Sequence, residues 1–224
     1  MTAMDQQLLQ VKVEKSQRYF NKLSLFFYDF LLYGVISDYL WGASVARLDA
    51  HYARYASANH LEVGVGTGFL LNRVKFSGPP RLVLMDLSAQ CLEKTGRKVA
   101  RYAPATYTQN ILQPVAHSIG KFDSISVNYV MHCVPGGFAD KAIAFSHLAA
   151  LLAPGGTLFG TSVLSKDVSK NLLARPFMWL MNALGVFNNR EDSATDLEAC
   201  LRAHFRVVQF DIVGVTAFFA VQAK

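Results

Sequence analysis

The spacing of apolar residues changes character near residue 58. Before it the period is helical: Leu23, Phe26, Phe27, Phe30 and Leu31 fall at i, i+3, i+4, i+7 and i+8, the apolar stripe of an amphipathic helix. Gly34 and Ser37 punctuate it. A second helix is expected from about Ser37 to Tyr55, with Trp41, Val45 and Leu48 on one side and Arg47 and Arg54 among its polar positions. No strand pattern precedes Asn59. After it, short apolar runs alternate with helical stretches. Strands are expected at about 59–63, 81–85, 105–109, 122–127, 157–164, 205–212 and 215–221, and helices over Thr67–Lys75, Ser88–Arg101, Gly137–Leu152 and Asp196–Ala203. Turn residues separate them at Gly78-Pro79-Pro80, Pro104 and Ala153-Pro154-Gly155-Gly156. Gly214 joins the last two strands closely enough for a hairpin. A stretch at about 166–192, containing Phe177 to Met181, stands between the fifth strand and the last helix as an insertion. This alternation predicts an α/β fold: a mostly parallel sheet with one antiparallel strand, at 58–224, behind an N-terminal helical cap at 1–57.

One stretch carries candidate chemistry. His60-Leu61-Glu62-Val63-Gly64-Val65-Gly66-Thr67-Gly68-Phe69 reads as a strand end, a glycine turn and a helix start. Gly64 and Gly66 let the backbone turn tightly and lie close to a ligand, because neither carries a Cβ. Gly68 is expected to let the following helix pack on the sheet. The next strand ends in Asp86, 22 positions after Gly64 (86 − 64), close to the ~20-residue gap at which an acid reaches a ribose hydroxyl pair in nucleotide-binding βαβ units. The spacing is Gly-x-Gly-x-Gly, whereas the dinucleotide fingerprint is Gly-x-Gly-x-x-Gly. Phe69 stands where that fingerprint needs its third small residue.

With Glu62 two positions ahead of Gly64, the stretch resembles the first motif of class I S-adenosylmethionine (SAM)-dependent methyltransferases, Glu/Asp-x-Gly-x-Gly-x-Gly. Leu152-Ala153-Pro154-Gly155-Gly156 before the fifth strand is a second shared feature. Tyr28-Asp29-Phe30-Leu31, with Trp41 and Arg47, resembles the N-terminal region of the ubiquinone- and menaquinone-biosynthesis type. The resemblance implies a Rossmann-like seven-stranded sheet in the order 3-2-1-4-5-7-6, SAM as cofactor and S-adenosylhomocysteine as product. It implies cofactor contacts from Glu62, Gly64, Gly66, Gly68 and Asp86, with Leu87 and Ile111 sandwiching the purine. Asn110 replaces the family's usual Asp at the adenine amino group; its carbonyl also accepts hydrogen bonds. Asn128 and Tyr129 follow the fourth strand, where the family holds the methionine part and faces the acceptor. His132 is the candidate general base, since it titrates near neutrality just past that strand. Tyr28, Trp41 and Cys133 are the candidate substrate and cap residues.

Composition narrows the partners. Hydrophobic residues make up 52% and charged ones 17% of the 224, which excludes disorder. The net charge of +6 is scattered without a Lys/Arg run, unlike the clustered footprint of a nucleic-acid binder, and no Asn/Asp-Pro-Pro-Tyr motif follows the fourth strand. Cys91, Cys133 and Cys200 form no CxxC pair, so no metal site or disulfide framework is expected and a cytoplasmic protein fits. Asp29 and Asp38 interrupt the most apolar stretch, Leu23–Trp41. Stable membrane insertion is therefore not expected, while interfacial contact stays open. The expected activity is methyl transfer to a small, largely hydrophobic metabolite at O, N or C. Two alternatives are a methyltransferase-fold protein that binds SAM without consuming it, as a cyclase or scaffold, and an NAD-dependent oxidoreductase.

Overall fold

The structure is a computed structural model and describes residues 32–115 and 117–224. The apolar stripe at 23–31 and Tyr28 lie outside the described residues.

Seven strands form one sheet: β1 Asn59–Val63, β2 Arg81–Asp86, β3 Ala105–Thr108, β4 Phe122–Asn128, β5 Leu152–Val163, β6 Phe205–Val213 and β7 Thr216–Ala223. Their order is β3-β2-β1-β4-β5-β7-β6. β1 pairs in parallel with β2 and β4, β2 with β3, and β4 with β5, while β7 runs antiparallel to β5 and β6. The order reverses between β1 and β4. In open α/β sheets that reversal leaves a crevice beyond the carboxyl ends of the strands.

Among the described residues six α-helices flank the sheet: α1 Val45–Tyr55, α2 Phe69–Arg73, α3 Ala89–Lys98, α4 Phe138–Ala149, α5 Ala174–Leu184 and α6 Ala194–His204. Alternation along β2 shows how the strands serve both faces. Leu82 and Leu84 pack with Leu48 and Tyr52 of α1, Leu70 and Leu71 of α2, and Leu92 of α3. Val83 and Met85 belong to the opposite core, with Phe145 of α4 and Leu201 of α6. Phe159, at the centre of β5, is fully buried, worth about 1.5–3 kcal/mol for such a side chain.

Three boundaries differ from expectation. The Ser37–Tyr55 helix is two pieces: a π-helical turn at Leu32–Leu40 and α1. Gly42, at φ +71°, breaks the path, and Ser44 caps α1 by accepting the Arg47 N–H at 3.3 Å. β5 begins at Leu152, before Pro154-Gly155-Gly156, because Leu152 pairs with Phe122 across an irregularity in the ladder. The insertion holds α5, whose buried Ala174 and Met178 are one helical turn apart. Met178 joins Ile36, Trp41, Val163, Phe187 and Val215 in a third apolar cluster. No described helix is long and apolar enough to cross a membrane.

Candidate active site

The carboxyl ends of β1 to β4 enclose a cavity of about 1190 Å³, mouth included. Glu62, Gly64, Gly66, Gly68, Asp86, Leu87, Asn110, Ile111, Asn128, Tyr129 and Cys133 all line it. His132 and Trp41 do not.

The three glycines of the turn differ in role. A Cβ on Gly64 would stand 2.3 Å from Cγ2 of Val130, so this glycine lets the turn close against the segment after β4. A Cβ on Gly68 would stand 2.7 Å from Cγ2 of Thr95. Gly68 thus makes room for α3, not for the sheet as expected. Gly66, at φ +51°, faces open space: nothing lies within 4 Å of the position its Cβ would take.

At the end of β2, Asp86 accepts the Ser88 N–H at 2.8 Å and the Gly66 N–H at 3.4 Å. Burial raises its pKa, and these backbone donors pull the other way. Beyond β3, the Asn110 side-chain oxygen already accepts the Leu112 N–H at 3.0 Å, an Asx turn that leaves it one further lone pair.

β4 delivers two neighbours of different character. Asn128 accepts the Thr161 hydroxyl at 3.3 Å through Oδ1, while its Nδ2 is buried without a partner. Tyr129 sits at φ +55°, uncommon for a residue with a Cβ. The Ser37 hydroxyl donates to the Ala43 carbonyl at 2.5 Å, and the Tyr129 hydroxyl lies within hydrogen-bond distance of Ser37 Oγ, at 3.2 Å. Burial pushes that phenol up to about 12. Tyr129 therefore ties the Leu32–Leu40 turn to β4 and keeps its proton at neutral pH.

Two expectations for this region need correction. Burial pulls His132 down to about 3, with the Lys141 charge adding to the effect. Its Nδ1 faces the Val163 N–H at 3.5 Å and its ring packs on Phe187 at 4.5 Å. A histidine so placed is too weak a base and forms no part of the cavity wall, so the geometry argues against the general-base role. Trp41 is 1% exposed, with Phe177 and Phe187 at 5.6 and 5.9 Å. Its indole is core of the third cluster and not a cavity wall. Cys133 does reach the cavity, but burial holds its thiol near 12, so it is no nucleophile at neutral pH.

The expectation missed five apolar residues of the lining: Phe69, Leu112, Val130, Val134 and Pro135. The apolar run Val130-Met131 and the Val134-Pro135 pair, directly after the fourth strand, were the available signal.

Residues 61–158 match the Methyltransferase domain family. The chain is 34% identical over 220 residues to methyltransferase aurB of Calcarisporium arbuscula, covering 92% of this chain and 96% of that one. It is 35% identical over 199 residues to the demethylluteothin O-methyltransferase of Streptomyces thioluteus, covering 88% and 86%. The chain belongs to the class I SAM-dependent methyltransferases. The fold is also that of a solved S-adenosylhomocysteine complex, DhpI, with a TM-score of 0.66 at 17% identity over 94% of this chain and 96% of the other. This methyltransferase uses SAM as its cofactor, and an NAD-dependent oxidoreductase is set aside.

The cavity of the methyltransferase fits that cofactor. The open space above Gly66 admits a close-lying ligand. The orphaned Asn128 Nδ2 is a buried donor in want of an acceptor. Two carboxylates, Asp86 and Glu62, stand on neighbouring strands.

Proposed function

We propose that this methyltransferase methylates an acidic hydroxyl, such as a phenol or enol, on a small and largely apolar metabolite. The observation that carries this reading is the cavity wall itself. Among the described residues the cavity is lined by the apolar side chains of Phe69, Leu112, Val130, Val134 and Pro135, and by no lysine, arginine or histidine. Such a wall binds an apolar acceptor and offers it no strong base. An acceptor whose own hydroxyl ionises readily needs none.

SAM supplies a methyl group made electrophilic by its sulfonium. The chain's part is to bind and align. Asp86 would take the ribose hydroxyls, and Leu87 and Ile111 would flank the purine beside Asn110. Glu62 and Asn128, on β1 and β4, would take the ammonium and carboxylate of the amino-acid end. The apolar mouth would exclude water and hold the acceptor oxygen in line. The cofactor's sulfonium would supply the methyl group to that oxygen, its sulfur leaving as the neutral thioether, and the acceptor's hydroxyl proton would be lost to bulk water. The name of the Streptomyces thioluteus relative, an O-methyltransferase, supports oxygen over nitrogen or carbon.

A cytoplasmic setting accords with three free thiols at Cys91, Cys133 and Cys200. The scattered positive charge favours a small molecule over a nucleic acid.

The test is incubation with SAM and a panel of phenols, enols, alkyl alcohols and amines, read by mass spectrometry. Methyl gain on phenols or enols, matched by S-adenosylhomocysteine, is expected. The turnover of a phenol should rise with pH through that phenol's own ionisation. Methylation confined to amines or carbon overturns the acceptor assignment. Binding of SAM with no methylated product supports the cyclase or scaffold alternative.

A further inference from the structure

Glu62 is an acid on an interior strand, 5% exposed, and three groups crowd one of its oxygens. The hydroxyls of Tyr52 and Ser126 both donate to Oε2, and His60 Nε2 lies 3.3 Å from it. Ser126 arrives by register, as the partner of Glu62 across the β1–β4 ladder. His60 lies two residues earlier on β1, on the same face. Tyr52 comes from α1, outside the sheet.

Hydrogen bookkeeping gives this cluster a direction. The Tyr52 and Ser126 protons both go to Glu62, so His60 Nε2, at 3.1 Å from each hydroxyl oxygen, must carry a hydrogen and donate. Its Nδ1 then accepts from Ser124 Oγ at 2.7 Å. Ser124 is itself fixed by the Ser57 N–H at 2.8 Å. With Nε2 donating and Nδ1 accepting, the imidazole is held in one flip.

The convergence is lopsided. Oε1 of Glu62 takes none of these bonds, although the residue lines the cavity. Simple satisfaction of a buried acid would spread donors over both oxygens, since an unpaired buried acceptor is costly. Holding one oxygen and presenting the other is the arrangement of a preorganised ligand contact.

We propose that Tyr52 is a positioning residue for the cofactor: with Ser126 and His60 it clamps Oε2 of Glu62 and so presents Oε1 to the ammonium of the amino-acid end. This rests on the placement of Glu62 at that end of the cofactor. It also makes α1, a helix ahead of the first strand, a working part of the cofactor site.

The test compares two ligands by calorimetry. S-adenosylhomocysteine carries the amino-acid end; 5′-methylthioadenosine keeps the adenosine and sulfur and lacks it. Tyr52→Phe keeps the ring that packs edge-on to Phe159 at 5.2 Å. It should weaken S-adenosylhomocysteine about tenfold, the scale of one lost hydrogen bond to a charged group, and leave 5′-methylthioadenosine within twofold. Glu62→Gln should show the same selectivity, and adding Tyr52→Phe to it should cost nothing more. Equal loss of both ligands makes Tyr52 mere packing and overturns the proposal, as does no loss of either. Should Tyr52→Phe fail to fold, Ser126→Ala is read by the same criteria. If Glu62→Gln leaves both ligands unchanged, the placement of Glu62 is wrong. If Glu62→Gln is selective and Tyr52→Phe is not, only the clamp is wrong.

Discussion

Asp86 holds the glycine turn that follows β1: its Oδ2 accepts the Gly66 N–H at 3.4 Å while its Oδ1 accepts the Ser88 N–H. The acid expected to meet the ribose is thus also a brace for the turn beside it. Asp86→Ala removes both functions, and SAM affinity should fall at least tenfold, since hydrogen bonds to a charged group contribute roughly 1.5–3 kcal/mol each. Asp86→Asn keeps one acceptor oxygen and should lose less. Calorimetry with SAM measures both; wild-type affinity in Asp86→Ala would remove this residue from the site.

The glycine turn gives a paired prediction. Gly64→Ala drives a methyl to 2.3 Å from Val130, so it should lower the melting temperature. Gly66→Ala meets no atom but places a Cβ at φ +51°, at a cost of about 1–2 kcal/mol, and projects into the space above the turn. Gly66→Val adds bulk there and should fold without binding SAM. Thermal melts and SAM titrations should therefore rank the variants oppositely: Gly64→Ala the less stable, Gly66→Val the weaker binder.

Lys141 and Asp192 form a fully buried ion pair, with Nζ 2.7 and 2.6 Å from the two carboxylate oxygens and 3.1 Å from the Asn188 carbonyl. It fastens α4 to the chain entering α6. Burial raises Asp192 to about 6, against the pull of Lys141. Asp192→Ala would strand the ammonium and should cost about 3–5 kcal/mol, whereas replacing both residues by apolar ones of similar size should be far milder. Denaturant unfolding of the single and double variants decides this.

His51 gives stability a pH dependence. It donates towards the Phe219 carbonyl at 3.2 Å and lies among Tyr55, Phe159 and Phe218. Burial lowers it from 6.5 to about 4. Between those values the unfolded chain holds a proton that the folded one does not, so stability is complete above 6.5 and falls as pH drops towards 4. The shift corresponds to roughly 3 kcal/mol at most. Asp192 works in the opposite sense between 3.8 and about 6, so the contrast needs a variant. His51→Gln keeps an N–H for Phe219, and it should lose less stability between pH 7 and 4.5 than the wild type. Equal losses would show that His51 does not contribute.

Strand periodicity made the core readable because β2 and its neighbours alternate between two apolar faces, and the glycine spacing located the turn. What stayed hidden depends on contacts between distant residues. His132 is an ordinary histidine in the sequence; only the packing of Phe187 and the nearness of Lys141 make it a poor base. Trp41 looked like a cap residue at the site because nothing local reveals Phe177 and Phe187 against it. Nothing in the sequence singles out Tyr52, whose hydroxyl gains meaning only when β1 and β4 bring Glu62 and Ser126 beneath it. The early start of β5 was masked by Pro154-Gly155-Gly156, which local preference reads as turn.

Gly42 and Gly214 lie face to face, their Cα atoms so close that a Cβ on either would stand 3.1 Å from the other's Cα. Around them Val215 N–H and the Thr216 hydroxyl both donate to the Trp41 carbonyl. The segment entering α1 is therefore fastened to the turn between β6 and β7. A chain emerging from the ribosome presents Trp41 long before it presents Val215. The Leu32–Leu40 turn and the entry to α1 cannot take up this fastening until the β6–β7 hairpin has been made. A product cut short before residue 213 would therefore carry the whole cofactor turn and an unfastened entry to α1.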